Sequence, residues 1–264
     1  MKVKEKTLVV TGGGSGMGRA LVLELLHRGA RVAALDINDE AVLETARLAP
    51  DHRERISTHV IDITDKEKIE SLVDEIKQIH GSVDGIINNA GVIQPFVDVN
   101  DLGYDKIEQV MNINFYGTLY MVKSFLPELL KRPEGHILNV SSMGGFLPVP
   151  GQSIYGASKA AVKLMTEGLH SELLDTNVGV TAAFPGAIKT NIMKNSNVVR
   201  EAKADDSGKE HKLTSASDAA TFMIDAIEAN QYHVMVGKDA KMMDRMARLM
   251  PKKAAAVIAE KLKK

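Results

Sequence analysis

Eight consecutive residues, Thr11-Gly12-Gly13-Gly14-Ser15-Gly16-Met17-Gly18, constrain this chain more than any other stretch. An apolar run at 7–10 leads into them, and a helix-period run at 16–28 leads out. Glycines therefore stand where a strand turns into a helix. Such a turn offers free backbone N–H groups and the positive end of a helix dipole to a phosphate. It also serves as a tight connection with no ligand, so the rest of the chain has to decide between the two.

The alternation continues. Short apolar runs at 7–10, 31–35, 56–61, 85–87, 136–140, 178–184 and 233–236 predict seven strands. Helix-period segments at 16–28, 39–48, 66–80, 104–131, 154–175 and 216–229 separate them. Nearly continuous apolar strands alternating with helices predict an α/β fold around a parallel sheet buried on both faces. Right-handed crossovers then place helices on each side. No Pro- or Ser-rich linker and no internal repeat interrupts the pattern, so residues 1–237 are expected to form one doubly wound domain. Two regions depart from the rhythm. Residues 191–213 are polar, charged and too long for a simple connection, the mark of a lid or binding loop. Residues 238–264 are basic, with nine Lys/Arg against three Asp/Glu. There Met242, Met243, Met246, Leu249 and Met250 recur at helical spacing, Pro251 breaks the run, and a second short helix is expected over 254–262. Such a tail packs on its own or a neighbouring subunit, or lies on an anionic membrane surface; the first is favoured.

Composition removes several classes. A formal net charge of −1 argues against nucleic acid as the main partner. With no cysteine there are no disulfides, no thiolate catalysis and no Cys-ligated zinc. The eight histidines show no His-x-x-x-His or His-Glu-x-x-His spacing, so no metal site is expected. No apolar run reaches the roughly 18 residues that span a bilayer. Residues 1–6 are charged and lead straight into the first strand, without the pattern of a signal peptide. A cytoplasmic location is the expectation.

Three further features carry chemistry. Asp36 ends the second strand, where a carboxylate can accept hydrogen bonds from an adenosine ribose; its other reading is a helix cap, a role open also to Asn38. A carboxylate there repels a 2′-phosphate, and neither Ser15 nor Ile37 supplies a basic group, so NAD is favoured over NADP. Tyr155 and Lys159 lie four apart on a helix and share a face. A phenol titrates near ~10 and is a poor acid–base group at neutral pH, but a nearby ammonium favours the phenolate and makes it usable. The run 136–140 ends in Ser141-Ser142, and in parallel sheets sites gather at the carboxyl ends of strands. A serine there can donate a hydrogen bond to a developing alkoxide.

With these residues in order, the chain resembles the short-chain dehydrogenase/reductases. The resemblance runs from Lys6 to about Val236. It rests on Thr11-Gly12-x-x-x-Gly16-x-Gly18, Asp62 in Asp62-Ile63-Thr64-Asp65, Asn88-Asn89-Ala90-Gly91, Asn114, Ser142, Tyr155-x-x-x-Lys159, and Pro185-Gly186 with Thr190. It implies a single Rossmann-type domain and an NAD-dependent transfer of hydride between nicotinamide and a carbonyl/secondary alcohol pair. It implies that Tyr155 is the acid–base group, that Lys159 holds the nicotinamide ribose and lowers the Tyr155 pKa, that Ser142 orients the substrate oxygen, and that Asn114 holds a relay water. Gly12, Ser15, Gly16, Met17, Gly18, Asp36 and Ile37 are expected to bind the cofactor, the turn at its phosphates and Asp36 at the adenosine ribose; by the same resemblance Asp62 and Ile63 contact adenine, and Asn89, Ala90 and Gly91 line the adenosine side. Pro185, Gly186, Ile188 and Thr190 lie against the nicotinamide. Substrate walls are expected from Gln94, Met143, Gln152 and Ile192. Their mostly apolar neighbours suggest a neutral or hydrophobic small molecule. The expected assembly is a homodimer or homotetramer. Two rival readings are an NADPH-dependent 3-oxoacyl thioester reductase and a non-catalytic NAD(H)-binding redox sensor.

Overall fold

The computed structural model describes residues 1–190, 192–196, 198 and 213–263. Seven strands pair in one parallel sheet: β1 (Thr7–Thr11), β2 (Arg31–Asp36), β3 (Ile56–Val60), β4 (Gly85–Asn88), β5 (Gly135–Val140), β6 (Val178–Pro185) and β7 (His233–Val236). Their spatial order is β3-β2-β1-β4-β5-β6-β7. Side chains alternate between faces along each strand, and both faces are apolar. Leu8, Val10, Ala34 and Leu138 face one core; Val9, Ala33, Leu35, Ile86 and Ile137 face the other. The first core is closed by helices α1 (Gly16–His27) and α8 (Ala216–Glu228), through Leu21, Leu25 and Met223. The second is closed by α3 (Lys66–His80), α5 (Thr118–Leu129) and α6 (Ser153–Glu172), through Ile69, Phe125 and Leu169. Each fully buried Leu, Ile or Phe contributes roughly 1.5–3 kcal/mol, which is why the runs read from the sequence fold as continuous strands.

Strand order reverses at β1, which has β2 on one side and β4 on the other. The connections leaving β1 and β4 therefore part in opposite directions and open a crevice at the carboxyl edge of the sheet. Helix ends follow local chemistry. Asn38, not Asp36, caps α2 (Asp39–Arg47) by accepting the Ala41 N–H at 2.9 Å. Asp65 caps α3, which stops at Gly81 in the left-handed region (φ +80).

The single helix expected over 104–131 is three pieces. Helix α4 (Tyr104–Met111) runs into a π-turn (Asn112–Gly117), and α5 follows without a break. Helical periodicity continues through a π-turn, so sequence spacing does not reveal it. The short helix α7 (Ile192–Asn195) lies in the long connection; residues 191, 197 and 199–212, including Lys203, lie outside the described residues. The tail forms α9 (Lys238–Leu249) and α10 (Pro251–Lys263). Pro251 begins α10 rather than only ending α9, since the first helical position needs no N–H partner. Met243 and Ala254 are buried with Leu147, and Met143, Phe146, Met246 and Ile258 pack around them. Leu249 stays exposed. Among the described residues no helix is long and apolar enough to cross a membrane.

Candidate active site

The glycine turn leaves β1 at Thr11, whose Oγ1 accepts the amides of Asn89 and Ala90, both at 3.0 Å. The turn is thereby tied to the end of β4 across the crevice. Gly12 (φ +67) and Gly16 (φ +52) occupy the left-handed region that glycine tolerates. A Cβ on Gly18 would collide with the Gly12 carbonyl oxygen, so α1 starts as close to the strand end as backbone permits. Asp36 Oδ2 accepts the Gly14 N–H at 2.9 Å and Oδ1 the Asn38 N–H at 3.0 Å. A carboxylate has about four lone-pair positions, so acceptor capacity remains. Arg19 is the nearest cation on α1. Its guanidinium donates to the Gly14 carbonyl and to Thr45 Oγ1 at 3.1 Å and pairs with Glu44, so it braces the turn.

A groove of about 240 Å³ runs along this edge. It is lined by Gly12, Ser15, Gly16, Met17, Gly18, Asp36, Ile37, Asp62, Ile63, Asn89, Ala90, Gly91, Thr190 and Ile192, all singled out in the sequence. Asn195 also lines it, and its Nδ2 donates to Ser15 Oγ at 2.8 Å, so α7 crosses over the glycine turn. Sequence reasoning missed Asn195 because it lies in a polar stretch without periodicity. Pro185 and Gly186 are not among the lining residues; the Gly186 N–H pairs with the Val236 carbonyl at 3.0 Å. Ile188 bridges to Thr214.

Beside the groove, β5 and α6 bring a second group together. The two serines after Val140 separate by role. Ser141 is buried and donates to the Lys159 carbonyl at 2.7 Å. Ser142 Oγ accepts the Gly144 N–H at 3.0 Å and shares a hydrogen bond with the Tyr155 phenol. Lys159, one turn along α6, is buried and donates to the Val140 carbonyl at 3.0 Å. Burial lowers its pKa to about 8. Burial also pushes the Tyr155 phenol up, against a smaller opposing effect of the Ser142 hydrogen bond. This direction is opposite to the depression expected from Lys159, because the ammonium is directed at Val140 and desolvation of the phenolate dominates.

Gly91 joins the two groups. It lines the groove, and a Cβ placed on it would lie 3.1 Å from Asn114 Oδ1 and 3.2 Å from Lys159 Nζ. Asn114, fully buried in the π-turn, accepts from the Val92 N–H and donates to the Val92 carbonyl, both at 2.9 Å. Its amide also donates to Ser158 Oγ, which in turn donates to the Tyr155 carbonyl at 2.7 Å.

Of the four residues expected in the substrate wall, Gln94 and Gln152 are buried with backbone partners of their own. Gln94 is fully buried, and its Oε1 accepts the N–H groups of Ile154 and Tyr155, each at 2.9 Å. Its Nε2 donates to the Gly151 carbonyl, while Gln152 donates to the Gln94 carbonyl at 2.7 Å. Both glutamines thus build the start of α6, whose first amides have no partner within the helix. Met143 packs with the tail cluster around Leu147 and Met243. Ile192 lines the groove. Among the described residues no cluster of three or more His, Asp or Glu side chains could hold a metal ion.

A doubly wound sheet with a glycine turn at its switch point, beside a Ser-Tyr-Lys group, defines a dinucleotide-fold oxidoreductase. The family model for short chain dehydrogenases matches residues 6–201. A Mycobacterium tuberculosis protein named as the oxidoreductase SadH is 34% identical over 251 residues, 93% of this chain and 91% of that protein. The chain belongs to the short-chain dehydrogenase/reductase family. Among solved structures, a short chain dehydrogenase from Burkholderia cenocepacia in complex with NADP has a TM-score of 0.81 at 27% identity, over 98% of this chain and 99% of that one. Carveol dehydrogenase from Mycobacterium avium in complex with NAD has a TM-score of 0.80 at 25% identity, over 89% of this chain and 98% of that one.

Proposed function

We propose that this protein is an NAD-dependent oxidoreductase that interconverts a neutral or apolar carbonyl compound and its secondary alcohol. The observation that carries the reading is continuity: Gly91 lines the groove bearing Asp36 and also packs on Lys159, in the group containing Tyr155 and Ser142. The groove suits a dinucleotide. Gly12, Gly16 and Gly18 line it, Gly12 and Gly18 with no room for a side chain against their neighbours, and α1 opens beside it, so a pyrophosphate would meet the amides of the glycine turn. Asp36 would hold the adenosine ribose, and Asp62 and Ile63 would flank adenine. Lys159 would hold the nicotinamide ribose, with Pro185, Gly186, Ile188 and Thr190 against the nicotinamide. Neighbouring solved structures hold NAD in one case and NADP in another, so the preference is argued from the chain itself. Asp36 sets a carboxylate in the groove, and Arg19 is held by Gly14, Thr45 and Glu44. Both features favour a ribose without a 2′-phosphate.

When bound, the nicotinamide supplies the hydride chemistry. The chain's residues do the rest. Ser142 and Tyr155 would hold the substrate oxygen between two hydroxyls. The raised phenol pKa keeps Tyr155 protonated at neutral pH, so it is ready to donate to the oxygen of a carbonyl as charge develops. In the oxidative direction the phenol must first lose its proton, so that direction is favoured by rising pH. Lys159 is charged below about 8, and with its ammonium directed at Val140 it would serve the nicotinamide ribose rather than lower the phenol pKa. Met143, Phe146 and Leu147, backed by Met243 and Met246 of the tail, provide an apolar wall beside Ser142. The test is a panel of ketones and secondary alcohols with NADH/NAD and NADPH/NADP, followed by absorbance of the reduced nicotinamide. Turnover with NAD(H) and a loss of about 10²–10⁴-fold in Tyr155→Phe are expected. A strong NADPH preference defeats the Asp36 argument. Full turnover by Tyr155→Phe defeats the enzymatic reading of the site.

A further inference from the structure

The basic tail takes no direct part in that chemistry, yet its first turn reaches the backbone behind the nicotinamide position. Gly237 (φ +104) turns the chain from β7 into α9, and Asp239 stands in the first turn. Asp239 Oδ2 accepts the Ala187 N–H at 2.7 Å. The residue before Ala187 pairs conventionally, Gly186 N–H to Val236 carbonyl at 3.0 Å, so a side chain continues the β6–β7 ladder where strand backbone ends. The fit leaves no slack. A Cβ on Gly186 would collide with both carboxylate oxygens of Asp239, and one on Gly237 would stand 2.5 Å from Oδ1. Two residues on, the Lys189 N–H pairs with the Thr214 carbonyl at 3.1 Å, and Thr190 then enters the groove. The segment 185–190 is thus held at Val236, Asp239 and Thr214 in turn. Helix α9, which carries Asp239, is itself anchored by Met243 in the cluster with Leu147. A carboxylate accepting a backbone N–H is among the stronger hydrogen bonds of a folded chain.

We infer that Asp239 is a positioning residue for the nicotinamide half of the dinucleotide: by holding the Ala187 amide it fixes the path of residues 185–190. The inference rests on the dinucleotide reading under Proposed function. It also gives the tail a role in the site. The groove around Gly12–Gly18 and Asp36 is built without Asp239, so the adenosine half does not depend on it.

The experiment compares NADH with ADP-ribose, which lacks the nicotinamide, by titration calorimetry on full-length protein. Asp239→Ala weakens NADH binding about tenfold and leaves ADP-ribose within about twofold. Asp239→Asn keeps an acceptor oxygen and stays close to wild type for both ligands. Equal weakening of the two ligands by Asp239→Ala, or no weakening of NADH, overturns the inference. If Asp239→Ala does not fold, the wild-type ¹H–¹⁵N spectrum decides. NADH then shifts the Ala187 amide and ADP-ribose does not; equal shifts overturn the inference. Wild-type protein that binds neither ligand overturns the dinucleotide reading, and this inference with it.

Discussion

Lys159→Met is expected to make the protein more stable at neutral pH while removing activity. Lys159 is buried, its ammonium meets the Val140 carbonyl at 3.0 Å, and its pKa falls from the ordinary 10.5 to about 8. That drop corresponds to about 3 kcal/mol acting against the folded state. The folded pKa lies below the unfolded one. Between about pH 8 and 10.5 the unfolded chain therefore binds more protons, and stability rises with pH. Below about pH 8 both states are charged and the full penalty is present. Methionine keeps the apolar stem and removes the charge, but it takes a donor from Val140, which costs about 1–2 kcal/mol. The net gain at pH 7 is about 1–2 kcal/mol, a rise in Tm of a few degrees for a chain of this size, at about 2–4 °C per kcal/mol. The assay is urea unfolding of both proteins at steps from pH 7 to 10, followed by far-UV circular dichroism. The variant leads at pH 7, and its lead shrinks and then reverses as the wild type sheds its proton. A difference that stays constant over that range refutes the reasoning, because the cost would not be that of a desolvated ammonium.

Gln94→Leu leaves the half-buried amides of Ile154 and Tyr155 without their acceptor, and a loss of about 2–4 kcal/mol in unfolding free energy is expected. Gln94→Glu keeps the acceptor oxygens and should retain more turnover than the leucine variant, which comparison of kcat with the urea midpoint will check. His136 is buried beside Thr181 and held neutral, with a pKa of about 3. Its folded pKa is below the unfolded 6.5, so the unfolded chain takes up the extra proton and stability falls as pH drops from about 6.5 toward 3. His136→Gln should flatten that limb of the Tm-against-pH curve; an unchanged slope assigns acid lability elsewhere. Gly18→Ala drives a methyl into the Gly12 carbonyl oxygen, and loss of NADH and ADP-ribose binding together is the expected calorimetric result.

The strands were legible because apolar residues on both faces leave little else for such runs to be. The groove was legible for a related reason: most of its lining sits at strand ends, where position along the chain fixes position in space. The remaining differences share a cause. Gln94 and Gln152 follow β4 and β5, where a substrate wall is expected, but their amides close the start of α6, a contact between segments about sixty residues apart. The Tyr155 pKa was read from its spacing to Lys159, whereas burial and the aim of the ammonium at Val140 set its direction. Asn195 and Asp239 carry no pattern at all, and only the folded chain brings them to Ser15 and Ala187.

The π-turn at Asn112–Gly117 has a consequence for how this chain can change length. An α-helix advances about 100° per residue, and a π-turn accommodates one residue more than a regular turn. Asn114 must face Val92 and Ser158, while Met121, Phe125 and Leu129 must face the sheet. The additional residue sets the phase between these two faces. Removing one residue anywhere from 112 to 117 would restore a regular helix and rotate one face away from its partners by about 100°, although composition and helix propensity would scarcely change. Substitutions in this stretch can be graded by side chain, but a one-residue deletion acts on every contact downstream at once.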